Sequence, residues 1–381
     1  MLNHGDICIA YDAKRAFLNY RGLGNYSRTL LAQLSRYYGN NHYVLCTPKD
    51  AHTYLWLSEA PFEKVTPQGW WSLAPSVWRR YGIPSALRDK HVDIYHGLSQ
   101  ELPEGIEQLG CKTIVTMHDA IFMRYPELYS ATYRASFMRR NQSACERADR
   151  IIAISEQTKK DFMEFFGVEE SRISVVYQGC NDVFWQPIEP QQIHAVTAQY
   201  QLPEAYILSV GALEKRKNYV RLIRAVGSAH IDLPLVIVGK GNPSQTRLLY
   251  ETAKQYEVTL RLMEDVRTED LPVIYHQAAV FVYPSLFEGF GIPILEAARC
   301  QTPIVTSSGT CFEEIAGKGA LYVSPTDEQA IGQAIRDTME DNEDTRTRIL
   351  TALEQTEKFR AEHIARNMMQ IYYETIHGHR G

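Results

Sequence analysis

The chain lacks any cysteine pair at CxxC spacing. Its seven cysteines (Cys8, Cys46, Cys111, Cys145, Cys180, Cys300 and Cys311) are scattered and odd in number. That excludes a disulfide frame as the organising device and points to reduced thiols in a cytosolic setting. No apolar run reaches the roughly 18 residues needed to span a bilayer. The opening stretch MLNHGDICIAYDA has neither a basic n-region nor a long apolar h-region, so no signal peptide is read. A large charge of one sign is missing too. A net charge of −5 gives no electrostatic case for nucleic acid as a partner. There is no low-complexity tract and no obvious short repeat. No GxGxxG follows a strand with an acid about twenty residues further on, which argues against a dinucleotide oxidoreductase.

What remains is an ordinary globular composition, 45% hydrophobic and 22% charged. At 381 residues the chain exceeds one usual core, so two domains of roughly 150–200 residues are expected. Both halves alternate short apolar runs with amphipathic stretches, the pattern of two similar α/β domains. In the first half, DICIAYDA (6–13), HYVLCTP (42–48), VDIYHGLS (92–99), KTIVTMHDAIF (112–122) and RIIAIS (150–155) read as strands with their following loops. Gly22 and Gly24 are placed in a loop before a helix capped by Asn25 or Ser27, and a GxG turn there lets backbone amides approach a phosphate. His118 directly follows the apolar strand TIVTM and should point into the crevice beyond the strand ends. His96, in YHG, is a weaker candidate of the same kind. The segment 68–90 mixes Trp70, Trp71, Trp78 and Tyr81 with Arg79, Arg80, Arg88 and Lys90. It suits either peripheral contact with a membrane or an amphipathic helix packed on its own domain.

Residues 183–203, with Pro187, Pro190 and Pro203, are expected to connect the domains. Beyond them, YILSVG leads into GALEKRKN, where Arg216 and Lys217 stand just ahead of a helix capped by Asn218. Two cations at the positive end of a helix are unfavourable for that helix, so an anion is their natural complement. LPLVIVGKGN (233–242) ends in a Gly239–Gly241 turn. The stretch 278–307, AAVFVYPSLFEGFGIPILEAARCQTPIVTS, then reads as strand, glycine-bearing loop, helix and strand, one βαβ step of a parallel sheet. It fixes two carboxylates, Glu288 in the loop and Glu296 in the helix, with seven residues between them. A carboxylate only accepts hydrogen bonds, so such a pair suits a ligand rich in hydroxyls.

This stretch resembles the donor site of family 4 glycosyltransferases, retaining enzymes whose hallmark is two glutamates so spaced around a GFG-type loop. The resemblance is specific at 211–218 and 278–298, and next at 20–26 and 112–119. It implies a GT-B fold, two Rossmann-like domains facing each other across a cleft. The expected boundaries are an acceptor-side domain over 1–185, a donor domain over 203–362, and a C-terminal helix over 363–381 packing back on the first. It implies transfer of a hexose, glucose or mannose, from a UDP- or GDP-linked sugar to a saccharide or lipid-linked saccharide acceptor in surface polysaccharide synthesis.

The roles carried over are these. Glu288 faces the transferred sugar, Glu296 binds the ribose, Arg216 and Lys217 hold the leaving diphosphate, and His118 lies near the anomeric centre. Gly22, Gly24, Gly211, Gly241, Phe290, Gly291 and Ile292 bring backbone to the donor, while Val266 and Leu271 receive the base. No DxD pair or His/Cys/Asp cluster with metal-ligand spacing stands beside this site, so neither metal nor cofactor is expected. A cytoplasmic enzyme is expected, with peripheral contact at the inner face of the membrane through 68–90. A GT-B relative with other chemistry, such as a nucleotide-sugar epimerase, and a non-catalytic nucleotide-sugar-binding subunit are the competing readings.

Overall fold

The computed structural model describes residues 6–19, 22–50, 55–59, 61–340 and 342–378. The chain divides into two compact units, one of residues 1–179 with 359–381 and one of residues 180–358. The domain boundaries therefore differ from those expected. Residues 180–185 belong to the second unit, and the presumed connection contains a helix, Pro190–Tyr200, opened by the proline that suits a first turn.

The first unit is built on a seven-stranded parallel sheet: β1 (Cys8–Asp12), β2 (His42–Cys46), β3 (Phe62–Val65), β4 (Ile94–Gly97), β5 (Lys112–Met117), β6 (Arg150–Ala153) and β7 (Ile173–Val175). Their order is β3-β2-β1-β4-β5-β6-β7, so the direction of winding reverses between β1 and β4. The register sets Ala10 against Tyr95 and Tyr11 against His96. Helices cover both faces, and central residues such as Ile9, Val44, Ile114 and Ile151 are fully buried. Such strands read as continuous apolar runs because both faces are covered. Strand β3, FEKV, is only half-buried at a sheet edge, and it carried no sequence signal for that reason.

Gly22 and Gly24 do not form a loop. They open the helix Gly22–Tyr37, and the preceding Tyr20 and Arg21 lie outside the described residues. Gly24 serves close packing, because a Cβ there would overlap the carbonyl oxygen of Asn19. Neither Asn25 nor Ser27 caps this helix; Ser27 Oγ donates to Leu23 O at 2.8 Å within it. The last helix, Ala361–His377, belongs to this unit and buries Ile364, Met368, Ile371 and Tyr372.

The second unit repeats the plan with six parallel strands: β8 (Ile207–Val210), β9 (Leu235–Val238), β10 (Leu260–Met263), β11 (Val280–Tyr283), β12 (Ile304–Ser307) and β13 (Leu321–Val323). Their order, β10-β9-β8-β11-β12-β13, reverses between β8 and β11. In open parallel sheets ligands bind beyond the carboxyl ends of the strands at such a reversal.

Candidate active site

At the β8/β11 reversal two loops meet. The chain leaves β8 through Gly211, whose φ of 149° is open to glycine and strained for other residues. A Cβ there would also press on Tyr219 and Lys217. Leu213 pairs with Gly241 in the loop after β9, and a Cβ at Gly241 would overlap the Leu213 side chain. Residues Lys215–Lys217 make one 3-10 turn, and the helix Tyr219–Ser228 follows. Asn218 stands at the head of that helix in the left-handed conformation, but its side chain is not the cap. Its Nδ2 donates to Pro284 O at 3.0 Å and Pro325 O at 2.7 Å, fastening the β8 loop to the end of β11. Leu286 N donates to Arg216 O at 2.9 Å and closes the junction.

Between the two loops lies a charge cluster. Glu288 is ion-paired with Arg216 and, at 2.7 Å, with Lys217 Nζ. Lys217 also donates to Tyr283 OH at 2.6 Å, and Tyr283 OH donates to the same Glu288 oxygen at 3.2 Å. The anion that complements the two cations ahead of the helix is thus Glu288 itself. Burial pushes the Glu288 carboxyl up, but the charges and hydrogen bonds of Lys217 and Arg216 outweigh it and hold the pKa at about 2. Burial lowers the pKa of Lys217, against the pull of Glu288.

Phe290 is buried, and its carbonyl, like that of Glu288, accepts from Cys311 Sγ. Gly291 has φ 138°, and a Cβ there would press on Phe312. Ile292 then starts the helix Ile292–Arg299, which places Glu296 in its second turn. Glu296 Oε2 accepts from Tyr275 OH at 2.7 Å. Burial pushes the Glu296 carboxyl up to about 7, with the Tyr275 hydrogen bond acting the other way. The rings of Tyr275, Phe281 and Tyr283 stand in series, 5.2 Å and 5.9 Å apart, between the partners of the two glutamates. Val266 lies half-buried in the loop after β10, and Leu271 opens the helix Leu271–His276. Tyr275, Tyr283 and Cys311 were missed by sequence reasoning. The only signal for Tyr283 was its place at the end of the organising strand.

In the first unit, His118 follows β5 and is buried. Its Nε2 bonds to Leu98 O at 2.8 Å, and since a carbonyl only accepts, that nitrogen carries the proton. The Tyr26 ring meets the imidazole edge-on at 4.7 Å. Burial lowers the His118 pKa to about 4, so the ring is neutral at pH 7 with Nδ1 as an acceptor. His96 is not a site residue. It lies within β4, fully buried, with Nδ1 on Tyr372 OH at 2.7 Å and Nε2 on Thr116 Oγ1 at 2.8 Å. Arg124 is engaged by Asp161 and Glu164. Among the described residues no group of three or more His, Cys, Asp or Glu side chains is placed to hold a metal.

Two parallel sheets of this order, each reversing once, are the GT-B fold, and comparison with known proteins places the chain within it. Residues 20–183 match the family described as Glycosyltransferase Family 4, and residues 196–354 match Glycosyl transferases group 1. The O-antigen chain mannosyltransferase B of Escherichia coli is 30% identical over 295 residues, covering 75% of this chain and 76% of that protein. The serotype-specific mannosyltransferase WbdA of Escherichia coli is 30% identical over 258 residues; the match covers 65% of this chain but only 32% of that longer protein. Among solved structures, Anabaena Alr3699/HepE in complex with UDP aligns with a TM-score of 0.74 at 18% identity, over 97% of this chain and 100% of that one. The chain belongs to glycosyltransferase family 4, among its bacterial polysaccharide-type members, and is a hexosyltransferase.

Proposed function

We propose that the protein transfers a hexose from a UDP- or GDP-linked donor, with retention, to a saccharide or lipid-linked saccharide of a surface polysaccharide. Mannose is the first sugar to test, because two relatives at 30% identity are named mannosyltransferases. The observation that carries the reading is Glu288 held between Arg216 and Lys217 at the β8/β11 reversal. Breaking the anomeric C–O bond puts negative charge on the departing diphosphate and positive charge on the ring. Arg216 and Lys217 answer the first, already fixed in place by Glu288, and fixed charges need no reorganisation as the bond breaks. Glu288 accepts hydrogen bonds from the sugar, and Glu296 accepts from the ribose. The route proposed is front-face, in which the departing phosphate oxygen takes the acceptor proton. His118, neutral and with its Nε2 proton engaged, contributes Nδ1 as an acceptor for a sugar hydroxyl. The cation pair does the work of a divalent ion. Calorimetric titration of UDP- and GDP-sugars in EDTA should find one donor bound, and that donor should turn over. No binding until a divalent metal is restored would overturn the metal-independent reading.

Peripheral membrane contact through 68–90 is the second part of the proposal. No helix among the described residues is long and apolar enough to cross a membrane. The segment is not one amphipathic helix. It breaks into a 3-10 turn, Gly69–Leu73, and two short helices, Pro75–Tyr81 and Ile83–Leu87. Trp78 is buried in the core, whereas Trp70 is 64% and Leu73 90% exposed, with Val77 and Tyr81 also exposed beside Arg80. Aromatic and aliphatic side chains presented with basic ones suit an anionic bilayer surface. Cosedimentation with phosphatidylglycerol vesicles should be lost in Trp70→Asp/Leu73→Asp. Equal sedimentation of the variant would remove this contact.

A further inference from the structure

The first unit contains a cavity of about 520 Å³ that the site above does not use. It lies between the Pro75–Tyr81 helix and the Ala131–Arg147 helix, by the carboxyl end of β1 and against β4, where this sheet reverses. Asp12, the last residue of β1, forms its buried base and accepts from Arg79 Nε at 3.0 and 3.1 Å. Arg79 is held on its other side by Glu101, which also accepts from Arg140 at 2.9 Å. Arg80 is paired with Glu104. Two lining cations, Lys14 and Arg139, make no ion pair among the described residues. Five cations thus face three carboxylates, a surplus of two positive charges. Tyr95 also lines the cavity. Its side chain is fully buried and its hydroxyl has no hydrogen-bond partner. Buried hydroxyls without partners are uncommon and call for a ligand or water.

We propose that this cavity is an oxyanion site that takes the phosphate-bearing end of the glycosyl acceptor. Guanidinium, ammonium and phenol are the donors that phosphate oxygens select, and arginine does so with a planar fork. The volume falls in the range of small-molecule sites, about 300–1,000 Å³, leaving room for a sugar beside a phosphate. The assignment rests on the transferase reading, in which Arg216 and Lys217 take the donor's diphosphate and leave this second set of cations for the other substrate. The phosphate could belong to a lipid diphosphate or to a soluble phosphorylated sugar, and the probes below separate the two.

The test titrates inorganic pyrophosphate and farnesyl diphosphate into the full chain, into Lys14→Ala/Arg139→Ala, and into Arg216→Ala. Both substituted cations in the double variant are at least partly exposed and make no ion pair among the described residues, so that variant should fold, as its Tm will show. Two classes of site are expected in the wild type. The double variant should weaken one class at least tenfold while keeping UDP- or GDP-sugar affinity, and Arg216→Ala should weaken the other. Tyr95→Phe, nearly isosteric, should weaken the first class severalfold. Farnesyl diphosphate binding at least tenfold tighter than pyrophosphate supports the lipid-linked source, and equal affinity supports the soluble one. Unchanged binding of both probes in the double variant overturns the cavity assignment and leaves the donor reading intact. Unchanged donor and pyrophosphate binding in Arg216→Ala overturns the donor reading instead.

Discussion

At the β8/β11 reversal one carboxylate, Glu288, answers two cations; at the β1/β4 reversal one guanidinium, Arg79, answers two carboxylates. The arrangements differ in what they can exchange. In the second unit Glu288 serves both cations, with Glu214 a more exposed partner of Arg216 at 3.4 Å, and the Glu288 side chain keeps 12% of its exposure. On the proposed reading, an incoming diphosphate would meet two cations already in position and share them. In the first unit Asp12 is all but inaccessible, at 3%, and takes the guanidinium by two of its nitrogens. That pair is fixed framework, and the cations able to meet a ligand stand on its rim. One reversal therefore keeps its charge available for chemistry, while the other ties its charge into the fold.

Breaking each centre should show the contrast. Arg79→Met would leave Asp12 buried against no guanidinium. Stripping one member from a buried pair typically costs about 3–5 kcal/mol. Chemical denaturation should show a loss of that size in the first unit, largely restored by adding Asp12→Asn. A loss below about 1 kcal/mol would mean that solvent reaches the pair as it reaches surface pairs. Arg216→Ala should instead lower turnover by on the order of a hundredfold or more, the usual result of removing one preorganised donor. An unchanged rate removes Arg216 from the mechanism.

The smallest effect concerns Glu296, whose carboxyl is near half-ionised at neutral pH. Its folded pKa of about 7 lies above the ordinary value of 4.5. Its contribution to stability is therefore fully present below pH 4.5 and is lost as pH rises through about 7. In the role proposed for Glu296 the ionised carboxylate is the stronger acceptor for ribose hydroxyls, so ligand binding runs the other way. Donor affinity should rise with pH between 6 and 8, by roughly tenfold at most if the ionised form alone binds. Glu296→Gln should flatten that profile. A slope that survives the substitution assigns the titration to another group.

The cluster around Glu288 was legible as a group of residues because its parts are local. Arg216 and Lys217 fall in one turn, Glu288 and Glu296 flank one loop, and each turn carries its own backbone signature in Gly211 or Gly291. What the sequence could not show was that Glu288 already pairs with both cations, since that contact joins loops about seventy residues apart. Tyr275 and Tyr283 were hidden for a related reason: an aromatic in a buried run reads as core, and only geometry reveals a hydroxyl on a carboxylate. The glycine pair at 22 and 24 misled as a loop signal, because it opens a helix; at Gly24 glycine is required by packing against Asn19, whereas a Cβ at Gly22 would meet open space. The cavity at β1/β4 left no trace at all. Asp12, Arg79, Tyr95, Glu101 and Arg140 come from five separate segments, and no spacing rule gathers them.

The closing helix has a consequence for how the molecule is made. Tyr372 joins Tyr11 and His96 in the interior of the first unit, at 3.2 Å and 2.7 Å. On the ribosome, residues 180–358 emerge with every strand of their own sheet and can complete their core. The strands of the first unit, made before them, must wait, their buried histidine lacking a phenol, until residue 372 has been added. Of the two units, the one made earlier is completed later and spends longer within reach of chaperones.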